Sequence, residues 1–582
     1  MLAMLSRWPR GFAVFAALGL LSLRSGEASS LPPVPVPPES ETARLETIED
    51  LSESLANDVL DLSVAVRDHD LAKVGPYFAD TVEGPPFPSL PGEAAPQVKW
   101  ISLHGWAPPA GVDLASRPIR HREFLSSFAS FLDHFSEIED VRFKVRGATF
   151  DASARSVPGA AEPTAAPGAA GSATIAFFVW GRDGQGRREW ARGTADARVR
   201  KPASGPWQFT AFKVTKLDSQ LSSVDLFSEV AIPAGVSATL PAYGEPPNTG
   251  FTWHGAAASD WNGDGWQDVF VTGPARNWLY LNDGRGRFRE ASAEAGVLGA
   301  ASGVGPLGID YDNDGDTDLF IATVGEQVLL ENRLVPDGKL AFVDVSQEAG
   351  VAVSAIGFSA AAGDVNGDGR PDIYVSSYNR YGQVTPDAWY KATNGTPNLF
   401  FVSQPGGGYR EEARKWGVDD RRWSYAAQFV DVDEDGRLDL YVVNDFGEKA
   451  LYMRRGARFV DEAAERGVVD TGNGMGVSFG DFNNDGRLDL HVTNMSSTAG
   501  NRILGRLFPG ATPSSNVLKK LASGNSLFEN VGGGRFREVT AEVGPFGGAW
   551  AWGGGFIDFD NDGHEDIYSP NGFISGKSMK DT

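Results

Sequence analysis

The chain of 582 residues contains no cysteine. Disulfides, thiolate metal sites, cysteine nucleophiles and a lipid-bearing cysteine are all excluded. Past the first thirty residues, no apolar run reaches the 18 residues at which a spanning helix is expected. Positive charge is in short supply. Lys and Arg number 52 against 76 Asp and Glu, for a net charge of −24. Such a surface repels phosphate backbones, so nucleic acid is not an expected partner and a cation is. The length exceeds what one ordinary core accommodates, so two or more domains are expected.

The start of the chain reads as an address. Arg7 and Arg10 precede the apolar stretch from Gly11 to Leu23, and the small residues Gly26 and Ala28 follow. That order is the order of a signal peptide over 1–28, and it predicts a secreted or periplasmic protein with no membrane span after signal removal. The proline-rich run 31–38 cannot form helix or central strand, so 29–43 reads as an extended linker.

Residues 44–219 read as a smaller α+β domain. Leu45, Ile48, Leu51, Leu55 and Val59 form one stripe of a helical pattern that runs from Arg44 to Phe78. A second amphipathic helix is expected from His121 to Phe135, with Phe124, Phe128, Leu132 and Phe135 on one face. Four long strands follow, over 141–151, 173–183, 188–201 and 206–218, with 152–172 as a flexible Ala-, Gly- and Pro-rich loop. Helices followed by a long antiparallel sheet resemble the cone-shaped fold of ketosteroid isomerase and nuclear transport factor 2, which implies an accessory or pocket-bearing domain. His69, His104, His121 and His134 are scattered, and no acid–base pair stands out among them.

The remainder, 220–582, repeats itself. Six segments share D-x-[DN]-x-D-G-x-x-D, at start-to-start spacings of 50, 54, 67, 50 and 77. Positions 1, 3, 5 and 9 are candidate metal ligands. They are Asp260, Asn262, Asp264 and Asp268; Asp310, Asp312, Asp314 and Asp318; Asp364, Asn366, Asp368 and Asp372. The later copies supply Asp431, Asp433, Asp435 and Asp439; Asp481, Asn483, Asp485 and Asp489; Asp558, Asp560, Asp562 and Asp566. Oxygens at alternate positions of a tight loop point inward, which suits calcium, a hard cation that takes six to eight oxygens. Glycine at position 6 permits the sharp turn, and the position-7 carbonyl adds an oxygen whatever the side chain. Magnesium demands a stricter octahedron and zinc wants His or Cys, so about one Ca²⁺ per loop, up to six, is the expectation.

These are not EF-hands. Position 12 is Val271, Ile321, Val375, Val442, Val492 or Ser569 where an EF-hand carries Glu, and a strand-like run with two-residue alternation follows each loop. Ligand carboxylates number 21, close to the whole charge excess, and six calcium ions return twelve positive charges.

A second element alternates with the loops, as in LYLNDGRGRFREASAEAGV from Leu279 and LYMRRGARFVDEAAERGV from Leu451. It reads as two short strands around a glycine turn. Each repeat is then strand a, loop, strand b, strand c, turn, strand d, which is one propeller blade. Here the sequence resembles the FG-GAP and VCBS repeat proteins. The LYxNxGxGxFxExAxxxGV pattern and GAWAWGGGFIDFDNDG resemble the cartilage acidic protein (ASPIC/UnbV-associated) group. The resemblance implies an extracellular calcium-bound propeller of six to seven blades used for adhesion or binding of a protein or glycan, and no enzyme. The alternative is an extracellular or periplasmic enzyme on a propeller scaffold, a polysaccharide lyase or hydrolase.

Five blades are complete by this count. Residues 224–230 are expected to add a strand d to a sixth that lacks strand c, and the natural chain is expected to continue past Thr582 into the C-terminal part of the group. Insertions at 379–397 and 495–524, between strands b and c, should leave the face opposite the loops; the second carries Arg502, Arg506, Lys519 and Lys520 as a basic cluster.

Overall fold

The computed structural model describes residues 39–90, 100–106, 117–236, 254–299, 303–497, 500–501, 504–505, 513–544 and 550–572, apart from 158, 161, 381 and 382. The signal-peptide reading of 1–28 lies outside the described residues. The chain divides into two compact units, met at Ser228 and Glu229.

The first unit sets two long helices on one mostly antiparallel sheet. The long helix spans Glu39–Arg67, so it starts inside the stretch read as linker, directly after the last proline, Pro38. Its buried stripe is Leu51, Leu55, Val59, Leu62 and Val66. Three side chains on the same helix fasten it to the rest of the unit. Ser63 Oγ accepts the N–H of Phe143 at 2.8 Å, and Asp58 accepts the N–H of Trp207 at 2.7 Å and pairs with Lys201 at 3.0 Å. Ser54 Oγ accepts from the Trp207 indole and from the Ala165 N–H.

The expected helix to Phe78 ends early. His69 takes a left-handed turn, the 75–77 turn contains Pro76, and Phe78 opens a strand. The second helix, His121–Leu132, stops short of Phe135, which opens the next strand.

The sheet comprises β1 (Phe78–Glu83), β2 (Ile101–Trp106), β3 (Pro118–Arg120), β4 (Phe135–Phe150), β5 (Ala170–Asp183), β6 (Arg188–Arg200) and β7 (Gln208–Ser222). Its order is β3-β1-β7-β6-β5-β4, with β2 also on β7 and the β1–β7 pair parallel. The four long strands match the sequence reading, with the last running past 219 to Ser222. β1 to β3 were not expected there. The loop before β5 is packed rather than free, with Ala154, Ala165 and Ala169 buried. Inside, Phe78, Phe87, Phe124, Phe128, Phe143, Phe177 and Phe212 lie ring to ring at centroid separations of 4.8–6.4 Å. Phenyl rings occupy the interior of this unit.

The second unit is propeller-like. Five four-stranded antiparallel sheets follow one another, each ordered d-c-b-a from edge to edge. Strands a are Ala256–Ser259, Gly303–Ile309, Ser354–Gly363, Ser424–Val430 and Gly474–Gly480. Strands b are Asp268–Val271, Asp318–Glu326, Asp372–Ser377, Asp439–Asn444 and Asp489–Asn494. Strands c begin at Trp278, Val328, Leu399, Ala450 and Ser526, and strands d at Phe288, Phe342, Tyr409, Arg458 and Arg535. A two-stranded sheet, Gly555–Ile557 with Asp566–Tyr568, carries the sixth loop. Sheets two and three are also joined edgewise, Val324 opposite Ile356.

The cores lie between consecutive sheets. One cluster combines Phe270, Leu279 and Leu281 of the first sheet with Leu319, Ile321 and Leu330 of the second. The next combines Phe320, Ala322 and Leu329 of the second with Ile373, Val375 and Phe401 of the third. Odd and even residues of strand b therefore face different neighbours, and both faces are buried. The two-residue alternation is therefore between two apolar faces, each with a sheet against it.

The Gly-Val end of the strand c–d element, at Gly296, Gly350 and Gly467, forms the joint between sheets. Gly296, Gly350 and Gly467 have φ of 79°, 76° and 81°, and a Cβ there would approach the strand-d carbonyl oxygens of Phe342, Tyr409 and Phe536 at 3.4, 2.6 and 2.5 Å. Left-handed backbone and close approach both call for glycine. The expected strand d at 224–230 is not formed. Only the joint that ends it is present, as the turn Ala231–Ala234 and Gly235, set against Phe288 of the first sheet.

Candidate metal centres

Each D-x-[DN]-x-D-G-x-x-D segment is the hairpin connection between strands a and b. Two left-handed residues make the turn. Position 4 is Gly263, Asn313, Gly367, Glu434, Asn484 or Asn561, with φ of 55–77°. Position 6 is glycine in every loop, with φ of 80–97°, and nothing crowds the place of its Cβ. The glycine is required by its backbone conformation alone.

The position-1 carboxylate organises the turn. In all six loops its Oδ1 accepts the position-5 N–H at 2.9–3.2 Å and its Oδ2 accepts the position-6 N–H at 2.7–3.1 Å. The position-5 carboxylate then accepts the position-7 N–H at 2.9–3.0 Å.

Position 9 does more than close a shell. Asp268, Asp318, Asp372, Asp439 and Asp489 are at most 1% exposed. One oxygen of each accepts a strand-c N–H, from Asn282, Asn332, Ser403, Arg454 or Asn530, at 2.7–2.8 Å. In the first four the other oxygen accepts the position-2 N–H at 3.0–3.3 Å. The residue read as a ligand is thus also the pin between loop and strand c. Spacing alone does not reveal the strand-c partner, which lies 14 to 41 residues away.

Burial disfavours the ionised form of these groups, joined by the neighbouring carboxylates at Asp318, Asp439 and Asp489. The Asp318 carboxyl is pushed up to about 8, Asp439 to about 7, and Asp372 and Asp489 to about 6. In three loops the oxygens of three acids lie within 4.8 Å of one another: Asp310, Asp312 and Asp318; Asp431, Asp433 and Asp439; Asp558, Asp560 and Asp562. Oxygens on opposite sides of an ion bound at ~2.3–2.6 Å stand ~5 Å apart, so these groups can hold a metal ion. One ligand-position oxygen, Asp433 Oδ1, is buried with no hydrogen-bond partner.

The loops with Asn at position 3 are arranged differently. The amides of Asn262, Asn366 and Asn483 donate to the position-5 carboxylates at 2.9–3.1 Å. Position 7 is not neutral either. Arg437 and Arg487 reach back to Asp435 and Asp485. Asp316 instead adds a fifth acid to the second loop, with Oδ1 buried and unpartnered and Oδ2 on the Val335 N–H at 2.7 Å.

A family model described as FG-GAP-like repeat matches residues 260–321, 310–375, 393–492 and 518–569, which together contain all six loops. The chain carries FG-GAP-like repeats. No curated protein matches it. Among solved structures it is similar to an Agrocybe aegerita lectin that recognises non-reducing terminal N-acetylglucosamine, at 16% identity and TM-score 0.32, over 56% of this chain and 77% of that one. A putative aromatic ring hydroxylase from Novosphingobium aromaticivorans is similar at 15% identity and TM-score 0.17, over 28% of this chain and 89% of that one. Oligopeptidase B from Leishmania major follows at 10% identity and TM-score 0.16, over 77% and 57%.

Beside the FG-GAP-like loops, both insertions lie between strands b and c. The first is built into the next repeat: the Ala392 N–H donates to Phe446 O, and Asn394 Oδ1 accepts from the Trp423 indole at 2.8 Å. The second contains the helix Pro513–Ser523. Its expected basic cluster is not a free patch, because Lys520 pairs with Glu538, while Arg502 and Arg506 lie outside the described residues.

In the first unit His134 is not merely scattered. Its Nε2 meets Oε2 of the buried Glu189, whose Oε1 accepts from Ser219. The bond to Glu189 holds the His134 imidazole above its ordinary range. A group raised in this way contributes stability that is complete below its unfolded value of ~6.5 and is lost as pH rises through the folded one. The His134 ring resonances should titrate with a midpoint above ~6.5, and Glu189→Gln should bring it down. A midpoint at or below that value in the parent protein would show that the contact is not made.

Proposed function

We propose that residues 229–574 belong to a calcium-stabilised β-propeller of six to seven blades, the last one incomplete, that serves as a secreted or periplasmic binding or adhesion module for a protein or glycan ligand. The observation that carries this reading is the set of loops in which ligand-position carboxylates are pooled, buried and, at Asp433, left with an unpartnered oxygen. Asp and Asn oxygens with a carbonyl at position 7 suit calcium best among common cations. Calcium in this reading is structural. The apolar segment 11–23 supports export to a compartment where calcium is plentiful, and the repeat pattern supports the cartilage acidic protein group within the FG-GAP set.

The ligand face is assigned to the side that carries the two insertions, away from the loops, where Trp389 is exposed and the first insertion is held rigidly by Trp423 and Phe446. The first unit is read as a cone-shaped accessory domain filled by its own phenyl rings. Binding without turnover is the reading, because most acids of the repeats already have loop duties.

Elemental analysis of the full chain, after dialysis against buffer with physiological calcium, should find several equivalents of calcium and up to six. Finding none would overturn the calcium reading. Release of reducing ends or unsaturated sugars from a polysaccharide panel would replace the binding reading with the lyase or hydrolase alternative.

A further inference from the structure

We propose that the calcium loops work in coupled pairs, the second with the third and the fifth with the sixth, through the position-4 asparagines Asn313 and Asn484. This rests on the reading of the loops as calcium sites.

The geometry recurs in both pairs. Asn313 Nδ2 donates to the carbonyl oxygen of Gly369, position 6 of the third loop, at 2.7 Å. Asn484 Nδ2 donates to the carbonyl oxygen of Gly563, position 6 of the sixth loop, at 3.0 Å, and lies 2.8 Å from His564 Nδ1. In each case the bonded carbonyl belongs to a peptide group whose other side is already engaged. The Arg370 N–H donates to Asp368 Oδ1 at 3.0 Å, and the His564 N–H donates to Asp562 Oδ1 at 2.9 Å. One peptide plane is therefore held by a ligand-position carboxylate of its own loop and by position 4 of the preceding loop.

The other end of each link is equally close to candidate ligands. Asn313 stands between Asp312 and Asp314, and Asn484 between Asn483 and Asp485, with φ of 62° and 57° fixed by the turn. With a cation held in one loop, the backbone that aims the asparagine would be fixed. The asparagine would then hold the position 6–7 peptide of the next loop and, through the position-7 N–H, its position-5 carboxylate. The remaining neighbours have no such link among the described residues. Position 4 is glycine in the first and third loops, which has no side chain to donate. In the fourth it is Glu434, whose carboxylate is an acceptor facing away from this role by its chemistry. The reading thus predicts two cooperative pairs alongside two independent sites.

The test is calcium titration of the full chain by isothermal titration calorimetry, starting from chelator-stripped protein. Asn313→Gly and Asn484→Gly remove the link while keeping the left-handed backbone, since Gly263 and Gly367 occupy the same position with φ of 71° and 77°. The parent should bind with positive cooperativity. The double variant should bind the same number of ions without cooperativity, with the second ion of each pair about fivefold weaker or more, the lower end of ordinary site-to-site coupling. Glu434→Gly removes a charge from the fourth loop and changes the affinity of that one site, but with no link to lose it should leave the cooperativity of the two pairs in place. Cooperativity that survives in the double variant, or is lost equally in Glu434→Gly, overturns the pairing. Non-cooperative calcium binding by the parent also overturns it while leaving the proposed function intact, whereas no calcium binding at all removes both.

Discussion

Stripping calcium from the full chain should lower the unfolding temperature of residues 229–574 by ~10 °C or more, while the transition of residues 39–228 stays where it is. A site half-saturated at a hundredth of ambient calcium contributes ~2.7 kcal/mol, and even three such sites rival the ~5–15 kcal/mol by which whole domains are stable. The loss should also depend on pH. In the ion-free protein the position-9 carboxyls of Asp318, Asp372, Asp439 and Asp489 are raised to about 6 to 8. A carboxyl whose folded value is raised binds its proton more tightly when folded, so stability is greatest below its unfolded value of ~3.9 and falls as pH rises through the folded one. The stripped protein should therefore melt lower at about pH 8 than at about pH 5.5, and calcium should narrow that gap. Scanning calorimetry with chelator and with excess calcium at both pH values reads all of this. A single melting curve indifferent to chelator at either pH would sink it.

The second large effect separates the two duties of position 9. Asp439→Ala deletes an acceptor of two backbone N–H groups, Arg454 at 2.7 Å and Val432 at 3.3 Å, in a fully buried position. Each orphaned donor costs ~1–3 kcal/mol, so a loss of ~3 kcal/mol or more is expected even in chelator, with a further loss in calcium. Asp435→Ala removes a position-5 oxygen whose partners are the Arg437 N–H and the exposed Arg437 guanidinium. Its penalty should show in calcium and shrink to within ~0.5 kcal/mol in chelator. Denaturant titration of both variants in both conditions gives four numbers. Equal chelator dependence of the two would mean that position 9 is a ligand and nothing more.

Much of this architecture is legible in the sequence because the loop pattern is dense in chemistry. Asp at 1, 5 and 9, a small or left-handed residue at 4 and glycine at 6 leave few other conformations, and the strand-b runs follow at once. What the residues conceal is anything set by a partner distant along the chain. Leu319 and Phe320 look alike in the sequence, yet one packs toward the first sheet and the other toward the third. The strand-c donors to Asp489 arrive across an insertion of thirty residues. In the first unit the strand at Phe78 is hidden because Val74 and Phe78 continue a helical spacing that Gly75 and Pro76 interrupt. Glu189 and His134 lie 55 residues apart, and only the pairing of β5 with its neighbours brings them together.

The placement of each core between two sheets also bears on how such chains change length in evolution. A sheet contributes half of one interface and half of the next, with a glycine joint at the seam. Duplication or loss of one full period returns the same pair of half-interfaces to contact. A break elsewhere in the period mates unlike surfaces. Whole-repeat gain and loss thus conserves these interfaces, and the two long excursions have been accommodated at hairpin ends, the first of them reaching across to the next repeat.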